Sequence, residues 1–203
     1  MASGNFLLRL EEVSFGYKRS KPVIKNLSWT VRQGDLWLLK GPNASGKSTL
    51  LKLITGVLKP NSGKIHCSEQ WENRAVLLDV TGFIPSVTVM TQMVAYAKMF
   101  NGDAEHSLQQ MNIPQEFWYK KFSELSAGMR QRARLSILFL KRNPEVIIID
   151  EPFKDLDKDG ISLFIDHMKK WYNDGKTIIM CAQAEEGIGE IFDIKVPQFP
   201  IGN

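Results

Sequence analysis

Gly41-Pro42-Asn43-Ala44-Ser45-Gly46-Lys47-Ser48-Thr49 sets two glycines, a lysine and a hydroxyl at the spacing of a phosphate-binding loop, or P-loop. The residue types explain the spacing. Gly41 and Gly46 let the backbone curl so that successive N–H groups converge on phosphate oxygens at a helix N-terminus. Lys47 adds a positive charge toward the outer phosphates, and the Ser48 hydroxyl is a hard oxygen of the kind Mg²⁺ takes. Thr49 is expected to open the helix. The flanks agree with this reading: Leu36-Trp37-Leu38-Leu39 is a short apolar run ahead of the loop, and Leu50, Leu51, Leu53 and Ile54 follow at helical spacing. Strand, loop and helix together point to nucleotide binding.

A chain of 203 residues suffices for one sizeable core, and one domain of two lobes is expected. With 43% hydrophobic and 24% charged residues it reads as a soluble globular protein, and its apolar runs are too short to cross a bilayer. Met1-Ala2-Ser3-Gly4-Asn5 carries neither the basic region nor the apolar core of an export signal, so a cytoplasmic location is expected. Lys and Arg number 26 against 22 Asp and Glu, without blocks of like charge. A mixed solvated surface follows, and no nucleic-acid partner is expected. Cys67 and Cys181 lack metal-ligand spacing and read as reduced thiols.

Leu7 to Ser14 alternates apolar and charged residues, and Leu27 to Val31 does the same after a turn, which predicts a pair of antiparallel strands. Between them Phe15-Gly16-Tyr17 places a ring that either stacks on a nucleotide base or covers the edge of the small sheet. Lys64 to Cys67 and Arg74 to Asp79 read as further strands. Val89, Met93, Ala97 and Phe100 mark a helix, with helical character continuing to Lys141 through breaks at Gly102 and Pro114. Val146-Ile147-Ile148-Ile149 runs into Asp150-Glu151-Pro152, the pattern by which a buried parallel strand delivers carboxylates to the ligand-binding edge of a sheet. A helix around Ile161 to Trp171 and a buried strand from Thr177 complete an α/β alternation with a mostly parallel sheet. His106 reads as solvated and His167 as structural.

Leu125-Ser126-Ala127-Gly128-Met129-Arg130-Gln131-Arg132, placed between the P-loop and Asp-Glu-Pro, resembles the signature of ATP-binding cassette (ABC) proteins. The resemblance covers nearly the whole chain. It implies an α/β fold: a P-loop NTPase core with a mostly parallel sheet, a small N-terminal antiparallel β-subdomain and an inserted α-helical subdomain. The core lobe is expected over about 1–85 and 143–203, with the helices over about 86–142. The resemblance implies that residues 41–49 and Tyr17 hold ATP, that Ser126, Ala127 and Gly128 face the ATP of a second ABC subunit, and that Asp150 and Ser48 hold Mg²⁺. It makes Glu151 the general base. Phe153 to Asp157 is similar to the family's D-loop, which puts Asp157 near a dimer interface.

Two positions depart from the family pattern. Gln183 stands where a histidine usually contacts the γ-phosphate; an amide donates a hydrogen bond but carries no charge. Asp79 stands at the usual glutamine after residue 74, with a hard oxygen for Mg²⁺ and an extra negative charge beside Asp150. Slow hydrolysis is the expected result. The resemblance favours the ATPase subunit of a transporter, peripheral on the cytoplasmic face of the inner membrane and bound to an integral-membrane permease, whose coupling helix meets Gly82 to Phe100 in family members. The short chain, Leu-Ser-Ala-Gly and Asp-Glu-Pro-Phe are similar to the ATPases of haem-handling cytochrome c maturation systems, and short ABC exporters of other cargo share these features. Two alternatives stand beside it: a soluble ABC-type ATPase acting on a macromolecule, and a degenerate ATP-binding switch subunit in a heterodimer.

Overall fold

Alternating side chains turn the first strand into a one-sided surface, and the rest of the small sheet forms against it. The computed structural model describes residues 6–18, 21–42, 44–79, 82–182, 192 and 195. In chain order its elements are β1 (Leu8–Phe15), β2 (Ile24–Val31), β3 (Leu36–Leu39), α1 (Lys47–Ile54), β4 (Ser62–Cys67) and β5 (Arg74–Leu77). There follow α2 (Val89–Phe100), α3 (Ala104–Gln110), α4 (Gln115–Trp118), α5 (Ala127–Ser136), β6 (Val146–Asp150), α6 (Lys158–Asn173) and β7 (Thr177–Cys181). β1 pairs antiparallel with both β2 and β4. Leu8, Leu10 and Val13 stay buried because the register slips between Leu10 and Val13, with Glu12 at φ 49. Gly63 makes room for this bulge, since a Cβ there would lie 2.5 Å from the Glu11 and Glu12 carbonyl oxygens.

The second sheet is parallel, in the order β3-β7-β6-β5. Both of its faces are covered, which is why its strands are apolar without alternation. Leu38, Ile147, Ile149 and Met180 pack on one face against Met93, Leu108, Leu135, Phe164 and Met168 from the helices. Leu39, Val146, Ile148 and Ile179 pack on the other against Leu50 and Leu51 of α1 and Leu8 and Leu10 of the antiparallel sheet. The α/β fold, with its mostly parallel sheet, antiparallel β-subdomain and helices, is the one expected.

Several local expectations need correction. α1 opens at Lys47, two residues before Thr49, because Gly46 takes the left-handed turn that starts it. β2 begins at Ile24; the left-handed Asn26 (φ 44) interrupts the alternation that would have shown it. β5 ends at Leu77, so Asp79 lies beyond the strand instead of closing it. Helix does not run on from α4 to α5, because Lys121 bridges to Thr88 and donates its N–H to the Glu124 carboxylate at 2.6 Å.

Candidate nucleotide site

β3 feeds the P-loop and α1 leaves it. Gly46 caps α1 at φ 99, and a Cβ there would sit 3.0 Å from Val23 Cγ1, so both conformation and space require glycine. The Lys47 side chain folds over the loop, where Nζ donates to Gly41 O at 2.7 Å and Pro42 O at 3.0 Å. An ammonium has three donors, so one remains for a phosphate oxygen. Ala44 to Thr49 line a pocket of about 330 Å³ with Tyr17, Val23 and Glu151. Tyr17 is 63% exposed, its hydroxyl 3.3 Å from Thr49 Oγ1 and its ring edge-on to Phe15. Its place at the pocket rim leaves a free aromatic surface. Asn43 and Gln183 lie outside the described residues.

β6 brings its carboxylates to the same place. Asp150 is its last residue, and Oδ1 is buried without a hydrogen-bond partner among the described residues. Burial raises the Asp150 carboxyl above the usual range; a hydrogen bond with Ser48 opposes this, and the charge of Asp79 adds to it. A buried, orphaned carboxylate oxygen beside a serine hydroxyl is a hard donor set that fits Mg²⁺, which needs only one or two protein ligands. No group of three or more His, Cys, Asp and Glu is gathered for a metal among the described residues. Glu151 follows at φ 50, a left-handed conformation uncommon outside glycine, with its N–H donated to Cys181 O at 2.9 Å.

The other candidates lie apart from this pocket. Both Asp79 oxygens are 3.1 Å from Lys52 Nζ, so its carboxylate is held in an ion pair on α1 and reaches Asp150 only through its field. Gln92, inside α2, is buried and bonds Ile84 N and O and Val87 O, which makes it a brace for the preceding loop. Ser126 caps α5 by accepting the Met129 N–H at 3.2 Å. Ser126 and Ala127 are exposed, and none of residues 126–128 lines the pocket. Asp157 caps α6 through Gly160 N at 2.8 Å and pairs with Arg132 at 2.7 Å. Gln131 was given no role by the sequence reading, yet it bonds the Glu151 and Pro152 carbonyls. The signal available was a polar residue one turn before the buried Leu135.

The ABC transporter family model matches residues 24–154, which include the P-loop, the signature and Asp150-Glu151. The chain belongs to the ABC transporter family. It is 32% identical over 164 residues to the ABC transporter ATP-binding protein YdbJ of Bacillus subtilis, covering 74% of this chain and 53% of that one. The chain thus spans about half of that relative's length. It is 28% identical over 175 residues to the cytochrome c biogenesis ATP-binding export protein CcmA of Ruegeria pomeroyi, covering 85% of this chain and 84% of CcmA. Among solved structures, the dimeric post-hydrolysis state of an ATP-binding cassette bound to ADP and Pi superposes with a TM-score of 0.79 at 21% identity, covering 93% of each chain. No helix among the described residues is long and apolar enough to cross a membrane.

Proposed function

We propose that this ABC chain binds and hydrolyses ATP with Mg²⁺, dimerises around two ATP molecules and drives an integral-membrane permease from the cytoplasmic face of the membrane. The observation that carries this reading is the meeting of β6 with the P-loop: Glu151 lines the same pocket as Ala44 to Thr49, and Asp150 touches Ser48. The loop N–H groups and the spare Lys47 donor hold the phosphates, and Tyr17 offers its ring to the base. Glu151 takes a proton from the water that attacks the γ-phosphorus. Ser48 and Asp150 would hold Mg²⁺, which when bound neutralises charge on the terminal phosphates.

The exposed Ser126 and Ala127, with half-buried Gly128 behind them, support dimerisation, because a capped helix N-terminus that does not line its own pocket suits the phosphates of a second subunit. Core lobe and helical subdomain divide, on this reading, near residues 86 and 142. A groove of about 730 Å³ is lined by Ile84, Pro85, Tyr96 and Phe100 from the stretch expected to receive the permease and by Val57 from outside it. Val57 and Ile84 are each more than half exposed there. The likeness to CcmA favours an exporter of the cytochrome c biogenesis kind. A second reading, the slow or switch subunit, draws on Asp79, whose carboxylate is taken up by Lys52.

Mg²⁺-dependent ATP turnover of the purified chain and of Glu151→Gln tests the proposal. Turnover is expected in the wild type and should fall by roughly 100-fold or more in the variant, which keeps ATP and elutes as a dimer. Turnover unchanged in Glu151→Gln sinks the general-base assignment. Tight ATP binding without turnover in either protein favours the switch reading. Recovery with ribosomes or nucleic acid, and not with a membrane protein, would overturn the transport assignment.

A further inference from the structure

Glu151 is clamped from both sides, and one of the clamps comes from the signature helix. On its N-terminal side the Glu151 N–H is held by Cys181 O of β7 at 2.9 Å. On its C-terminal side the Gln131 Nε2 of α5 donates to Glu151 O at 3.2 Å and to Pro152 O at 3.1 Å. Both partners are carbonyl acceptors, so only the NH₂ end of the amide satisfies them. Gln131 is 5% exposed, which removes water as a substitute donor. The residue held between the clamps is at φ 50, a conformation that a side-chain-bearing residue keeps only when its surroundings impose it. Fixing the peptide groups on either side of Glu151 fixes its Cα–Cβ direction, and with it where the carboxylate enters the pocket it shares with residues 44–49.

We propose that Gln131 is a positioning residue for Glu151, holding the left-handed backbone turn that aims the carboxylate at the nucleotide. The inference rests on the reading of Glu151 as general base. α5 therefore carries two duties on one rigid element: its exposed first turn presents Ser126, and its buried second turn sets the carboxylate of its own subunit.

The test is steady-state ATP turnover of the full chain with Gln131→Leu and Gln131→Glu, which remove the donor at nearly constant shape, and Gln131→Lys, which restores a donor. ATP affinity is measured on each with a fluorescent ATP analogue, and folding by thermal melting. Loss of donor should lower kcat about tenfold or more and leave ATP affinity within about twofold, while the lysine variant recovers to within about threefold of wild type. In a Glu151→Gln background, Gln131→Leu should add no further loss. The proposal is overturned if the leucine and glutamate variants turn over at the wild-type rate. Equal slowness of all three variants with equal loss of melting temperature, or an additive loss in the Glu151→Gln background, overturns it too. Absence of turnover in the wild type, or its survival in Glu151→Gln, is seen without any Gln131 variant; it removes the base assignment itself and the proposal with it.

Discussion

Lys47 shows how much of this site is set at single residues. Its ammonium already holds the Gly41 and Pro42 carbonyls, so the lysine shapes the loop as well as charging it. Lys47→Ala removes both effects, and titration calorimetry should find ATP bound roughly tenfold or more weakly, about 1.4 kcal/mol for each factor of ten. Affinity within twofold of wild type would mean that the backbone N–H groups hold the phosphates alone. The loop was legible because Gly46 answers a local demand, a left-handed turn with Val23 pressed against it. The partner of Asp79 was not, since Lys52 is distant in sequence and becomes a neighbour only when α1 packs beside the end of β5. The orphaned oxygen of Asp150 was equally invisible, because it depends on which side chains crowd around β6.

At the scale of elements, the middle of α5 is locked to the start of α6. Asp157 caps α6 and pairs with Arg132, whose side chain is mostly buried. The guanidinium and the Gly160 N–H hold the Asp157 carboxyl below the usual carboxylate range. This stabilisation is complete above the ordinary aspartate pKa of about 3.9 and is lost as pH falls through the lower folded value. Asp157→Ala loses the cap and strands the guanidinium, and urea denaturation at pH 7 should show a loss of about 1–3 kcal/mol. Asp157→Asn keeps a capping oxygen and should lose less; equal losses would place the stabilisation in the charge alone. β6 and β7 were readable as buried strands because an unbroken β-branched run between turns has few other uses. The break after α4 was not, since the bridge from Lys121 back to Thr88 depends on pairing across the helical region.

The whole molecule is joined by contacts that no single element reveals. His167 of α6 bonds Gln110 O at the end of α3 at 2.7 Å, tying the helices that follow β5 to the core. Burial lowers the His167 pKa, so the folded chain keeps the imidazole neutral while the unfolded chain takes up a proton near the ordinary value of about 6.5. Unfolding then binds protons, and stability falls as pH drops below about 6.5 toward the folded value. Melting curves at pH 7.5 and 5.5 should show this loss in the wild type and a smaller one in His167→Gln; an equal loss in both would assign the acid sensitivity to other groups.

β7 stands between β3, which feeds the P-loop, and β6, which carries the carboxylates, and those two strands share no hydrogen bond of their own. The two halves of the nucleotide site are therefore spliced by a segment that leaves the ribosome after both of them. Between the emergence of Glu151 and that of Thr177 the nascent chain holds a phosphate loop and a pair of acids without the strand that joins them in the sheet. Only when Thr177 to Cys181 slides in between are the two halves held in one sheet.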